Sequence, residues 1–176
     1  MKKVANGIWE IEKFLNAIDC KSILDKAYLC GFKIAKQQKR GRYNQETFID
    51  YGEVALKLFF RLQKCISEYS KITTITSIGK VIECYRYEQG DYITAHYDKS
   101  TEIDHNSWST HTLIIYLSDN VMGGETSFLK HNIIVVPELG KAVLFEHSIL
   151  HQANEVLEGI KYVSRLNVGL MNYESL

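Results

Sequence analysis

Tyr92-Ile93-Thr94-Ala95-His96-Tyr97-Asp98 reads as a short strand running into a loop. Side chains on a strand alternate between its two faces, so His96 and Asp98 fall on one side. An imidazole and a carboxylate placed this way can face one cavity. One further imidazole from a neighbouring strand would complete a two-histidine, one-carboxylate set, which leaves open metal positions and suits Fe(II). The H-x-D pair alone is weak in a chain with six histidines. His96 is equally readable as a core histidine held by a hydrogen bond, and Asp98 as the residue that opens the loop 98–106.

Outward from this stretch, β-rich runs alternate with turn residues from about Ile78 onward. They cover 80–87, 92–96, 110–117, 132–136, 142–145 and 162–170, with Gln89-Gly90-Asp91, Met122-Gly123-Gly124 and Leu139-Gly140 between them. Short strands so punctuated indicate a sandwich or barrel. The single proline, Pro137, stands where a strand would end.

The first 75 or so residues read as a helical scaffold. Asn16 is placed to cap a helix, with Asp19 as a capping-box partner. Ile18, Ile23, Leu24, Ala27 and Tyr28 follow at near-helical spacing, and Gly31 is a stop. A second helix is expected from about Asp50 to Ser67, with Val54, Leu58, Leu62, Cys65 and Ile66 on one face. Arg42-Tyr43-Asn44 falls in the linker. The expectation is one α+β domain over 1–176: support helices in about 1–75, packed on one face of a β-sandwich core in about 76–176.

Three histidines compete for the third ligand position. His111 opens a strand on which Thr112, Ile114 and Tyr116 share the opposite face. His147 follows the apolar run 142–145 and competes more seriously. His151 is favoured for what comes after it. Lys161, Val163 and Arg165 share one strand face, and cations turned inward are costly unless an anion meets them. A dicarboxylic co-substrate would supply that charge.

Further motifs support this reading. Tyr85-Arg-Tyr87 with Gly90, His96-Tyr-Asp98, Leu113-Ile-Ile-Tyr116-Leu117, Gly123-Gly-Glu-Thr126-Ser-Phe128, Gly140-Lys-Ala-Val-Leu-Phe145, and His151 with Gly159-Ile-Lys161-Tyr162 occur in that order. In order and spacing this set resembles the prolyl 4-hydroxylase-type branch of the Fe(II)/2-oxoglutarate oxygenases, from about Glu83 to Met171. The resemblance implies a double-stranded β-helix of jelly-roll type. It implies Fe(II) on His96, Asp98 and His151, with 2-oxoglutarate chelating the iron and Lys161 meeting its distal carboxylate. It implies that Tyr116 assists Lys161 and that Tyr85 lies near the 1-carboxylate, although both are equally readable as aromatic core. It adds ascorbate as a candidate reductant, and hydroxylation of an unactivated C–H bond with succinate and carbon dioxide as co-products.

Arg165, a second cation two positions past the Lys161–Val163 pair, departs from the collagen-type pattern. It leaves the substrate open among a prolyl residue, another side chain in a peptide or protein, and a small molecule. Two other readings are an inactive peptide-binding relative, opposed by the intact His96, Asp98, His151 and Lys161, and a cupin-like metal enzyme without 2-oxoglutarate, opposed by Lys161 and Arg165.

Composition narrows the partners. Lys plus Arg equals Asp plus Glu at 21 each, so the chain lacks the basic excess that phosphate binding usually requires. The local run Lys36, Lys39, Arg40, Arg42 reads as a solvated loop. No stretch approaches the roughly 18 apolar residues of a spanning helix. Cys20, Cys30, Cys65 and Cys84 form no C-x-x-C pair and read as buried free thiols in a reducing, cytoplasmic setting.

Overall fold

Alternation along the strands builds two large antiparallel sheets, beside two two-stranded ribbons, in the computed structural model, which describes residues 1–35, 41–50, 52–71 and 73–172. The main sheet runs in the order Lys2–Ala5, Ile8–Ile11, Ala142–Glu146, His111–Tyr116, Lys161–Asn172, Val81–Tyr87, Gln45–Asp50, Lys33–Ile34, and Thr73–Ile78 pairs with the far half of Lys161–Asn172. The smaller sheet runs Ile133–Val135, Thr126–Phe128, His151–Ala153, Tyr92–His96, Arg42–Tyr43. This two-sheet architecture with helices on one face is the double-stranded β-helix expected from the motif set.

The main sheet has an apolar core on each side. Ile82, Cys84, Leu113, Ile115, Leu144 and Leu166 point to the helices. Their alternates Tyr85, Tyr87, Tyr116, Val143, Phe145 and Val163 point to the smaller sheet. Helix α1 is Ala17–Cys30 and helix α2 is Gly52–Tyr69. The Asn16 side chain accepts from the Asp19 N–H at 2.8 Å, and Gly31 closes α1 at φ 77°. Asp19 does not return the second half of a capping box, because its carboxylate pairs with Arg61 of α2 at 2.9 Å.

Several expectations change. The first 75 residues also supply Lys2–Ala5, Ile8–Ile11 and Gln45–Asp50 to the main sheet, and Arg42–Tyr43, read as linker, edges the smaller one. Ile18 and Tyr28 are exposed, since the buried stripe of α1 is Cys20, Ile23 and Ala27. Lys36, Lys39 and Arg40 lie outside the described residues. Cys20 and Cys84 are buried, Cys65 is half-buried and Cys30 is exposed at the end of α1. All four thiols are unpaired. Alkylation of the native, unreduced protein followed by mass spectrometry is expected to give four modified cysteines. Cys30 should react first and Cys84 last, because burial pushes the Cys84 thiol up to about 12.

One glycine fixes how the N-terminal segment docks. Gly140 has φ 78°, and an added Cβ would sit 2.0 Å from the Leu15 carbonyl oxygen. Its own carbonyl accepts from the Leu15 N–H at 2.9 Å. Gly140→Ala therefore combines a left-handed backbone with a main-chain clash. The expected loss is about 3 kcal/mol or more in a urea titration.

Candidate metal centre

His96 ends one strand of the smaller sheet and His151 begins the next, and the two residues are direct cross-strand partners. Each ring is turned by a main-chain acceptor. The Nδ1 of His96 is 2.8 Å from the Thr94 carbonyl, and the Nδ1 of His151 is 3.0 Å from that of Ile149. Such bonds fix the tautomer with Nδ1 as donor and leave each Nε2 as a metal-binding lone pair. Asp98, two residues past the strand end, completes the group. Its Oδ1 is 4.0 Å from His96 Nε2 and its Oδ2 is 3.9 Å from His151 Nε2. One ligand atom from each of the three residues lies within 4.8 Å of the other two, and no other such cluster exists among the described residues.

The main sheet grips Asp98 from the opposite side. Arg165 Nη2 lies 3.1 Å from Asp98 Oδ1, and the Thr112 hydroxyl donates to Oδ2. Burial works against the charge on Asp98, but Arg165, then His151 and Thr112, hold the carboxyl below its ordinary range. Burial also pushes His151 down to about 4, against the pull of Asp98, so its imidazole is neutral at pH 7. A neutral imidazole and an ionised carboxylate are the forms that ligate a metal. Two nitrogens and one oxygen with open positions fit ferrous iron.

His111 and His147 are not in this cluster. His111 faces away, tilted against Trp9 and beside Leu144 in a second, smaller cavity. His147 is 8% exposed with neither ring nitrogen hydrogen-bonded.

The triad lines a cavity of about 410 Å³ between the sheets, shared with Arg42, Tyr85, Thr126, Lys161 and Arg165. Lys161 and Arg165 both point into it, but they differ in company. Arg165 is ion-paired to Asp98 and, at 2.9 Å, to Glu83. The missing anion argued for both cations is therefore needed for Lys161 alone. Lys161 is 2% exposed, with its ammonium 4.8 Å from the Tyr87 ring centre and 5.9 Å from that of Tyr116. Among the described residues no carboxylate lies within ion-pair distance of it. The contrast is Lys141, also buried, which meets Glu12 at 3.4 Å and Glu138 closer still. Burial lowers Lys161 to about 7, with Glu125 opposing. Gly124 allows its turn to lie this close, since an added Cβ would meet Lys161 Cδ at 3.1 Å.

Tyr85 and Tyr116 are both buried in the core between the sheets, and Tyr85 also lines the cavity. The Tyr116 hydroxyl donates to Thr126 Oγ1 at 2.7 Å, and that of Tyr85 donates to Glu83. Glu83, Thr112 and Arg42 are site residues that the motifs did not bring out. Glu83 was legible by alternation, since it shares a strand face with Tyr85 and Tyr87.

Comparison with known proteins agrees with this geometry. "Prolyl 4-hydroxylase 1" of Arabidopsis thaliana is 25% identical over 146 residues, 69% of this chain and 51% of the relative, so the chain spans about half that protein's length. The viral collagen prolyl hydroxylase of Paramecium Bursaria Chlorella virus-1, solved as a 2-oxoglutarate complex, superposes with TM-score 0.66 at 22% identity, covering 95% of this chain and 98% of that one. A Trichoplax adhaerens prolyl hydroxylase, solved with a hypoxia inducible factor peptide fragment, gives 0.65 at 19%, covering 97% and 86%. The fold is that of the prolyl 4-hydroxylases and related 2-oxoglutarate oxygenases. The family model described as Poxvirus C4/C10 protein matches residues 18–176, nine-tenths of the chain, which therefore belongs to that family.

Proposed function

We propose that this chain is an Fe(II)- and 2-oxoglutarate-dependent dioxygenase that hydroxylates an unactivated C–H bond, with succinate and carbon dioxide as co-products. The observation that carries the reading is one cavity holding both the convergent His96, Asp98 and His151 and an unpaired buried ammonium, Lys161. In this reading His96, Asp98 and His151 hold the iron through Nε2, one carboxylate oxygen and Nε2. Iron with 2-oxoglutarate supplies the oxidative decarboxylation and the hydrogen abstraction when bound.

The chain's own residues do the rest. Thr94 and Ile149 orient the imidazoles through their carbonyls. Lys161 receives the distal carboxylate, with the Tyr116 hydroxyl, anchored on Thr126, beside it. Tyr85, which lines the cavity with its hydroxyl engaged by Glu83, lies on the side of the other carboxylate in this reading. Arg165, held by two carboxylates, serves the metal side of the cavity. The apolar walls Ile93, Ile114 and Val163 limit water around the reacting atoms. Ascorbate enters as the reductant that keeps iron ferrous.

The substrate is assigned as a side chain of a peptide or protein, a prolyl residue being the first candidate. The Trichoplax structure with its bound peptide supports that choice. No helix among the described residues is long and apolar enough to cross a membrane. The unpaired thiols suit a reducing compartment, and we place the protein in the cytoplasm.

The test is succinate formation from 2-oxoglutarate by protein reconstituted anaerobically with Fe(II) and then exposed to oxygen, with and without a proline-containing peptide panel. Iron-dependent succinate supports the reading. Tight peptide binding with no succinate would instead make the chain a binding protein. Metal binding with no affinity for 2-oxoglutarate would point to cupin-like chemistry.

A further inference from the structure

We infer that Glu83 is a positioning residue for the metal centre, acting through Arg165; this rests on the metal reading of His96, Asp98 and His151. Glu83 and Arg165 are direct cross-strand partners in the main sheet, so the register itself places their side chains on one face. The guanidinium is divided between two carboxylates. Its Nη1 donates to Glu83 Oε1 at 2.9 Å, and its Nη2 reaches Asp98 Oδ1 at 3.1 Å and the Thr112 hydroxyl at 3.4 Å. Glu83 is itself fixed by the Tyr85 hydroxyl, and the Arg42 guanidinium lies 4.5 Å over the Tyr85 ring, pinned by Glu46 at 2.7 Å.

The division matters because an arginine beside a metal-binding carboxylate is a rival for it. Arginine and carboxylate prefer to meet fork to fork, with two parallel N–H···O bonds. That geometry here would displace Thr112 from Asp98 Oδ2 and draw the carboxylate toward Arg165, away from His96 and His151. A carboxylate offers about four acceptor sites. With Glu83 holding the other edge of the guanidinium, Arg165 gives Asp98 one nitrogen and Thr112 supplies the second donor. The lone pairs facing His96 and His151 stay with the metal. Glu83 also contributes a negative charge that offsets the guanidinium a divalent cation would otherwise meet. Both effects have the same sign: without Glu83, metal binds less tightly.

The test is the dissociation constant of Mn(II), read by electron paramagnetic resonance of the free ion, together with the Co(II) ligand-field spectrum. Wild type, Glu83→Ala, Glu83→Gln and the double variant Glu83→Ala/Arg165→Met are compared, with His151→Ala as the ligand-loss control. Glu83→Ala is expected to weaken Mn(II) binding about 10- to 100-fold, the range for outer partners of metal ligands. Its Co(II) spectrum should shift. Glu83→Gln, which keeps an acceptor but no charge, should fall between it and wild type. The double variant should recover most of the affinity, because the rival guanidinium is gone. A merely structural Glu83 would lower the unfolding midpoint while leaving the Mn(II) constant within about threefold, and that overturns the inference. So does a double variant as weak as Glu83→Ala. Should Glu83→Ala not fold, Glu83→Gln and the double variant, which leaves only Asp98 without its cation, still decide. Wild type that binds no better than His151→Ala overturns the metal centre, and this inference falls with it.

Discussion

His96→Ala and His151→Ala are each expected to lower iron-dependent succinate formation at least about 100-fold, beyond what loss of an outer partner alone costs. Their effects on stability should differ. His96 is half-buried at a strand end, so its truncation should leave the unfolding midpoint almost unchanged. His151 is buried, with its ring centre 4.5 Å from that of Phe145, and its loss should cost about 1–3 kcal/mol. Asp98→Ala removes the ligand and also strands Arg165. Truncating one partner of a buried pair costs about 3–5 kcal/mol, and the remaining Glu83 keeps this case near the lower end. Asp98→Ala is thus the poorest single test of ligation, because inactivity and unfolding coincide. His147→Ala should retain activity. A dead His147→Ala beside an active His151→Ala would sink the assignment. Activity of each soluble variant, paired with its urea midpoint, separates these outcomes.

Lys161→Met should weaken 2-oxoglutarate binding while making the ligand-free protein more stable. A charge-assisted hydrogen bond to the distal carboxylate contributes about 1.5–3 kcal/mol, so affinity should fall roughly 10- to 100-fold. Removing an unpaired buried ammonium should stabilise the fold by on the order of 1–4 kcal/mol. Opposite signs in the two measurements are the signature of a group kept for a ligand. Arg165→Met should weaken stability first, because it leaves Asp98 and Glu83 without their shared cation.

The pH dependence follows from the lowered Lys161, at about 7 against an ordinary 10.5. Between these values the unfolded chain holds the extra proton. Stability of the ligand-free protein therefore rises with pH across that window, and the cost of the buried charge is fully present below it. Binding has the opposite sense. The dicarboxylate prefers the ammonium, so above pH 7 complex formation must take up a proton and affinity declines. Titration calorimetry at saturating metal, in buffers of different ionisation enthalpy, checks this. No proton uptake at pH 8, with unchanged affinity in Lys161→Met, would remove Lys161 from the co-substrate site.

The site was more legible in the sequence than the scaffold, and the reason is local. His96 and Asp98 declare a shared side by a spacing of two, and Lys161 and Arg165 a shared strand face by a spacing of four, both even steps of the two-residue strand period that need no help from the rest of the fold. The motif set then ordered the strands around them. The N-terminal strands were not legible. Lys2–Ala5 and Ile8–Ile11 are four residues each; Ile8–Ile11 owes its extended form to pairing with Ala142–Glu146, more than 130 positions away, and Lys2–Ala5 pairs onto Ile8–Ile11 in turn. Gln45–Asp50 carries Phe48 outward and Ile49 inward against Val81–Tyr87, again a tertiary pairing. The role of Arg165 needed the fold too. Its partners are Glu83 on Val81–Tyr87 and Asp98 in the loop after Tyr92–His96, and only the folded arrangement shows that the cation is already matched.

The strand Lys161–Asn172 lies between His111–Tyr116 and Val81–Tyr87, and its far half also pairs with Thr73–Ile78. Among the described residues it is the latest long strand and a central one in the sheet. A ribosome emits it after every partner it joins, so the nascent chain displays two unfinished sheet edges and an open triad until this strand arrives. Closing loops of this length before any of the central pairing is gained makes folding slow, in the millisecond-to-second range of β-rich domains, and leaves those edges available to chaperones meanwhile. The same insertion delivers Lys161 and Arg165 to the cavity, so the cations of the site arrive in the step that closes the sheet.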